Sequence, residues 1–257
     1  GSEAFIDCIG LVTVELPQTL KKIESKAFYG CVALESVVIP DSVEYIAFGS
    51  FGHCTSLRSI TLPFIGTVFD DPTYTNFGYI FGANTGSDNY SYVPSNLEYV
   101  HITGDLSEIK DGAFSSCDHI KEIKLPDTIE ILGSHAFYNC TALECINMPS
   151  SLAEIGEYAF TLCDNLMAIE MPEKLANIGA YAFQSCNALE SVKLNNGLRI
   201  IGQYSFYECT GLMEISIPDS VETIGISAFG ECSNLAKITL PFIGSGDDES
   251  ESPFGYV

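Results

Sequence analysis

The amino-acid sequence predicts a solenoid, a stack of short coils that are all formed by one repeated unit. Three observations lead to this prediction: a Phe recurs every 23 residues, a Cys follows each Phe after three residues, and a Pro closes nearly every unit. A unit this short cannot bury its own apolar residues, so neighbouring coils must stack to form one continuous core.

The recurring Phe and Cys residues are expected to form a structural ladder, because residues at one repeat position occupy the same place in every coil. The Phe positions are Phe5, Phe28, Phe51, Phe114, Phe137, Phe160, Phe183, Phe206 and Phe229. The Cys positions are Cys8, Cys31, Cys54, Cys117, Cys140, Cys163, Cys186, Cys209 and Cys232. Cys side chains at the same position of successive coils run parallel and do not converge. This arrangement favours buried free thiols over disulfides or a metal site.

Each unit is expected to contain two short extended segments and one helical turn. The stretch 163–172 ends in alternating apolar and polar residues, which predicts a short strand, and Pro172 stops it. A second short extended run is expected before Gly156, where glycine would permit a sharp corner. Residues 157–163 suit a single helical turn.

The long interval between Phe51 and Phe114 indicates one more unit that carries an insertion. Leu97, Val100 and Ile102 fit the repeat there, with Ser91 at the Phe position and Pro94 at the Cys position. Residues 1–257 are therefore expected to form a single array of about ten coils, with a Tyr-rich insertion at 66–93. The segment that starts the insertion, 62–66, recurs at 240–244, so 240–257 is interpreted as the truncated start of a second insertion.

Units of the form Ala-Phe-x-x-Cys-x-x-Leu-x-x-Ile-x-Leu-Pro, with Ile-Gly before the next Ala-Phe, resemble the BspA-like class of leucine-rich repeats. The resemblance implies an α/β leucine-rich-repeat solenoid that is right-handed and horseshoe-like, with short strands and single-turn helices or 3-10 turns. Members of the family are mostly exported or surface-attached proteins of host-associated bacteria. The resemblance therefore implies adhesion or binding to host proteins, and it brings no catalytic residues.

The charge of the chain narrows the choice of partners. The sequence has 34 acidic and 11 basic side chains and a formal net charge of −23, which opposes binding to nucleic acid or to anionic membranes. No apolar run approaches the length of a membrane span. The resemblance implies an extracellular or cell-surface protein. Gly1-Ser2 is typical of a cloning remnant, so we expect that a signal peptide has been removed, and we expect a monomer.

Two surfaces are candidates for binding a protein, such as a component of the extracellular matrix, or a glycan. The insertion offers Tyr74, Tyr79, Tyr90 and Tyr92, since long insertions in solenoids often carry the binding surface. The alternative for this segment is that Phe64, Phe77, Tyr79 and Phe81 fold back as a local core. The outward strand positions offer Tyr99, His101, Lys124, Asn147, Glu170 and Lys193.

The sequence shows no catalytic motif. The four histidines fall at different repeat positions, and none pairs with a nucleophile, so we expect neither an enzyme nor a cofactor. Asp70 and Asp71 lack the ligand spacing of a calcium loop, which argues against a metal site. Cys145 breaks the repeat and is expected to face outward. The function predicted is a non-enzymatic interaction or adhesion module, with a rigid spacer that presents a domain beyond Val257 as the alternative.

Overall fold

The computed structural model describes residues 1–68, 73 and 75–240. These residues form a parallel β-solenoid of about nine coils of about 23 residues each. The strands are β1 (Lys22–Ile23), β2 (Ser36–Val38), β3 (Tyr45–Ile46), β4 (Ser59–Leu62), β5 (Tyr99–Ile102), β6 (Glu108–Ile109), β7 (Glu122–Lys124), β8 (Ile131–Leu132), β9 (Cys145–Ile146), β10 (Glu154–Ile155), β11 (Ala168–Glu170), β12 (Asn177–Ile178), β13 (Ser191–Lys193), β14 (Ile200–Ile201), β15 (Glu214–Ser216), β16 (Thr223–Ile224) and β17 (Lys237–Thr239).

Two columns of parallel strands run along the stack. The first sheet column contains β2, β4, β5, β7, β9, β11, β13, β15 and β17, and the second contains the eight remaining strands. Partners in regular coils are one repeat apart, as in Glu154 opposite Asn177. In the first sheet column, the first coil contributes only an isolated bridge, Thr13 with Ser36, and no strand. The prediction of about ten coils therefore exceeds by one the number of coils that contribute a strand to the first sheet column.

The turn between the two columns is not a helix, so the prediction for residues 157–163 is wrong. This segment forms successive turns in which Tyr158 and Leu162 have left-handed φ angles of 57° and 63°. Alternate amides point along the stack as a result: Tyr158 and Phe160 donate to Ala180 and Ala182 of the next coil at 3.0 and 2.7 Å. The chain thus gains a third column of hydrogen bonds between coils, and the label α/β describes it only loosely.

The corner glycine is required by close packing rather than by its φ angle. A Cβ atom at Gly179 would lie 2.6 Å from the carbonyl carbon of Gly156, and one at Gly202 would lie 2.5 Å from that of Gly179. Neither glycine has a positive φ angle. The expected sharp corner is therefore a place where the backbones of neighbouring coils approach too closely for any side chain.

The helices of the described residues all lie in the insertion. They are two 3-10 helices, Phe77–Phe81 and Gly86–Asp88, and the short helix α1 (Asn89–Tyr92). Thr85 and Asp88 form a capping box at the start of the second. The insertion interrupts the second sheet column between β3 and β6, whereas β4 pairs directly with β5 in the first. It therefore sits on the turn side and leaves the first sheet column continuous.

The core is a file of stacked Phe rings. From Phe114 to Phe229, neighbouring centroids lie 5.0–5.4 Å apart with interplanar angles of 5–13°. Phe5, Phe28 and Phe51 form a second file at 5.1 Å. Phe77 of the insertion packs on Phe114 with ring centroids 4.9 Å apart. Phe77 therefore takes the position in the Phe stack that the repeat assigns to Ser91. Ser91 is exposed.

Candidate functional site

The outward side chains of the first sheet column form one surface, which we call the strand face. Three open depressions of about 200, 570 and 710 Å³ lie along it. Tyr99, His101 and Lys124 line the first, Asn147 and Glu170 the second, and Lys193 the third. Shallow depressions in file suit the surface of a macromolecule better than an enclosed small molecule.

The first depression brings three of the predicted binding residues together. Tyr99 is 45% exposed and stands on β5 beside His101, while Lys124 is exposed on β7 opposite His101. Lys124 has no ion-pair partner among the described residues. An aromatic ring, an imidazole and an unpaired ammonium group thus meet in an otherwise acidic protein, which is a mixture typical of interface centres.

Two basic side chains beside this depression already pair with one carboxylate, whereas Glu122, which lines the depression, has no ion-pair partner among the described residues. Glu98 accepts hydrogen bonds from Lys121 at 2.9 Å and from Arg58 at 3.0 Å. These bonds lower the pKa of the Glu98 carboxyl group, Lys121 contributing the most. The carboxylate therefore stays ionised and neutralises part of the local positive charge, which leaves Lys124 as the available cation of this cluster.

The other predicted strand-face residues have partners within the protein. Both ends of the Asn147 amide bind the backbone of Leu125: its oxygen accepts from the N–H at 2.7 Å and its nitrogen donates to the carbonyl at 2.9 Å. Glu170 and Lys193 form an exposed ion pair between β11 and β13. The Asn147 amide is thus engaged by the backbone of Leu125, and an exposed pair such as Glu170 and Lys193 adds little stability.

The insertion places its tyrosines in different environments. Tyr90 and Tyr92 on α1 are 62% and 46% exposed. Tyr79 is only 9% exposed and its ring packs edge-on against Phe48 at 5.2 Å. It joins Phe64, Phe77 and Phe81 in the core, so the alternative of a local core holds for these four, and little of the Tyr79 ring is left at the surface. Tyr74, Asp70 and Asp71 lie outside the described residues, as does 241–257, which holds most of the predicted second insertion.

The ladder thiols are buried from Cys31 to Cys232, whereas Cys8 and Cys145 are exposed, and all are free. Most donate to the carbonyl of the Phe in the preceding coil, as Cys163 does to Phe137 at 3.3 Å. Burial raises the pKa of Cys54, Cys140 and Cys186 to about 12. The thiols therefore stay protonated and serve as small apolar groups with one weak donor.

One surface feature was missed by the sequence reasoning. His135, Tyr158, Tyr181 and Tyr204 stack in a row on the turn side of four consecutive coils. The signal is present in the sequence, because each of these residues stands two positions before a ladder Phe. We call these four residues the aromatic strip.

Within the part of the chain that the structure describes, no group of three or more His, Cys, Asp or Glu residues is arranged to hold a metal ion. The same residues include no helix that is long and apolar enough to cross a membrane.

Comparisons with known proteins identify the repeat. The model of the BspA-type leucine-rich repeat region matches residues 1–77, 85–211 and 155–245, with six copies. A leucine-rich repeat protein of T. pallidum is 32% identical, with a TM-score of 0.53 over 55% of this chain and 68% of that one. One from Bacteroides ovatus is 25% identical, with a TM-score of 0.48 over 94% of this chain and 70% of that one. No curated protein sequence matches significantly.

The family match covers well over half of the residues, and the solved relative shares both sequence and fold over more than half of the chain. The family and fold are typically non-catalytic. The resemblance read from the Ala-Phe-x-x-Cys units is confirmed, and the chain belongs to the BspA-type leucine-rich repeat family.

Proposed function

We propose that this array is the interaction module of an exported, surface-associated protein, and that its strand face binds a host or envelope macromolecule. The observation that carries the proposal is the depression at Tyr99, His101 and Lys124, on a sheet column that runs past the insertion without a break. Membership of a family of bacterial leucine-rich repeat proteins supports an interaction role.

The continuity of the sheet matters because it places the depression within a long surface. Strands β2, β4, β5, β7 and β9 form one five-stranded sheet, and the depression lies over its centre. Residues at the centre of an interface are shielded from water by the surrounding contacts and contribute most of the binding free energy. Tyr99, His101 and Lys124 are therefore the expected anchors, and the outer strands provide complementary surface.

The exposed tyrosines of α1 are a second contact region in this proposal. Tyr90 and Tyr92 are exposed on α1 in the insertion, which is not part of the first sheet column. A partner that wraps around one edge of the solenoid reaches both regions, whereas a partner lying flat on the sheet reaches only the first. Separate variants of the two regions distinguish these geometries.

The test is a binding screen of the protein on immobilised collagen, fibronectin and laminin and on a glycan array. Combining Tyr99→Ala, His101→Ala and Lys124→Glu should weaken the strongest interaction by about 2 kcal/mol, roughly thirtyfold, because central aromatic and charged contacts dominate affinity. The matched control combines Glu154→Ala, Asn177→Ala and Thr223→Ala on the second sheet column and should leave binding unchanged. Unchanged binding in the strand-face variant would refute the proposal.

A further inference from the structure

The aromatic strip is a regular row of side chains on the turn side of the solenoid. Centroids of His135 and Tyr158, of Tyr158 and Tyr181, and of Tyr181 and Tyr204 lie 4.8, 4.6 and 4.9 Å apart. The interplanar angles are 18°, 3° and 8°. The rings therefore follow the spacing of the coils and stand nearly parallel.

The strip is maintained at a backbone cost. All four residues of the aromatic strip have left-handed φ angles, from 54° to 58°. That conformation costs residues with a Cβ atom about 1 kcal/mol or more each. Hydrogen bonds between coils and ring stacking offset this cost. Lys26 and Ser227, at the equivalent position of other coils, have the same left-handed conformation without an aromatic ring. The fold therefore does not require aromatic residues there.

Stacking determines what the strip presents to a partner. The faces of Tyr158 and Tyr181 are covered by their neighbours, so their exposed parts are ring edges and hydroxyl groups. No hydrogen bond joins the hydroxyl of Tyr158, Tyr181 or Tyr204 to another described residue. Partial burial raises the pKa of Tyr181, with a smaller effect of Tyr158 and Tyr204, so the phenol stays protonated. The strip is a row of hydrogen-bond donors.

The period of this row selects a class of ligand. Two steps, from Tyr158 to Tyr204, cover about 9.5 Å. A polyproline II helix has three residues per turn and rises about 3.1 Å per residue, which gives about 9.3 Å per turn, and its backbone makes no internal hydrogen bonds. Its carbonyl groups on one side therefore meet every second tyrosine. A β-strand repeats every 6.6 Å or so, which matches neither one coil nor two.

Negative charge lies at one end of the strip. Tyr207 packs edge-on against Tyr204 at 5.5 Å, and Glu231 and Glu208 contribute, after burial, to raising the pKa of Tyr207. The Ser185 hydroxyl donates to Glu208 at 2.9 Å and holds that carboxylate in place. These two carboxylates lie near Tyr207, which contacts the last ring of the strip, and they favour a cation in the partner.

We propose that the aromatic strip binds a proline-rich segment in the polyproline II conformation, with an Arg or Lys next to Glu208 and Glu231. Phenol hydroxyls donate to the peptide carbonyls, and the carboxylates bind the cation. This site lies on the turn side, so it is independent of the strand face and its test does not depend on the proposed function.

The test measures binding of a fluorescent decaproline peptide with one terminal Arg, in both sequence orientations, by anisotropy. A Gly/Ser peptide of equal length and charge is the reference ligand. The protein should bind one proline peptide and not the reference. Tyr204→Phe keeps the ring and removes one of the two hydroxyls that the two-coil period aligns with the peptide carbonyls, so affinity should fall about threefold to tenfold. Glu208→Gln should weaken binding and reduce its dependence on salt.

Tyr45→Phe on the second sheet column is the matched control and should bind as the unmodified protein does. Equal binding of the proline and reference peptides, no binding of either, or unchanged affinity of Tyr204→Phe would overturn the proposal. Binding of a neutral oligosaccharide that Tyr204→Phe abolishes, without peptide binding, would overturn it in favour of a glycan site.

Discussion

The repeated cysteine combines two properties that the core needs at one place. It is small and apolar enough to fit between coils, and its S–H group gives the Phe carbonyl of the preceding coil a partner, as in Cys186 to Phe160 at 3.1 Å. Alanine would fill the space without the donor. The same burial that allows this role raises the pKa of the thiol and suppresses its reactivity.

Thiol labelling tests this assignment. With excess iodoacetamide at pH 8, the folded protein should acquire two labels, at Cys8 and Cys145, because the eight buried thiols are protonated and inaccessible. Mass spectrometry counts the labels, and unfolding in guanidinium should raise the number to ten. Cys145→Ser should reduce the native count to one, and rapid native labelling of Cys140 or Cys186 would contradict a buried ladder.

At the scale of elements, Asn89 joins the insertion to the solenoid. Its side chain is fully buried, and its oxygen accepts from the Gly78 N–H at 3.0 Å. Its nitrogen donates to the carbonyls of Ser115 at 2.9 Å and Ala113 at 3.3 Å. In regular coils such carbonyls accept backbone amides of the preceding coil, as Ala136 accepts Phe114. The amide side chain thus replaces part of the ladder that the insertion interrupts.

Replacing this residue should therefore loosen the insertion. Asn89→Ala leaves the Gly78 N–H and the Ser115 carbonyl without a partner in a buried place, so the free energy of unfolding should fall by about 2 to 4 kcal/mol. Chemical denaturation gives the loss, and hydrogen exchange should show weaker protection at Gly78. Asn96→Ala, which removes one exposed bond to Thr55, is the control and should cost less than about 1 kcal/mol. Equal losses of unfolding free energy in the two variants would argue against Asn89 as the residue that joins the insertion to the solenoid.

The sequence predicts the regular elements well because a strict period carries them. The strand before Pro172 and the inward positions of Phe160 and Cys163 are all present in the structure. Where the period is interrupted, the sequence no longer predicts which residue occupies each position of the coil. The chain length between the repeats does not reveal that Phe77, rather than Ser91, stacks on Phe114. Apolar periodicity predicts a helical turn at 157–163 because left-handed residues such as Tyr158 do not change that periodicity.

The candidate site was less predictable than the fold. Outward positions such as Tyr99 and Lys124 follow from strand alternation, but the internal bonds of Asn147 depend on the neighbouring backbone of Leu125. Composition groups Tyr79 with Tyr90 and Tyr92, which are exposed, but the fold of the insertion buries Tyr79. Such contacts are set by tertiary packing, which residue spacing does not encode.

At the scale of the whole molecule, each coil is stabilised mainly by the coils on its two sides. A central ring such as Phe160 packs at 5.0 Å against both Phe137 and Phe183 and is fully buried. Phe5 of the first coil packs against Phe28 at 5.1 Å and is 43% exposed. Stability in such a stack depends on interfaces between nearest neighbours, so the same substitution has a position-dependent cost.

The most direct test of the stacked-coil account compares these two rings by chemical denaturation followed by circular dichroism. Phe160→Ala should reduce the free energy of unfolding by about 3 to 5 kcal/mol, because it opens a cavity between two coils. Phe5→Ala should cost about 1 to 2 kcal/mol, because much of that ring already contacts solvent. Equal losses at the two positions would contradict the account.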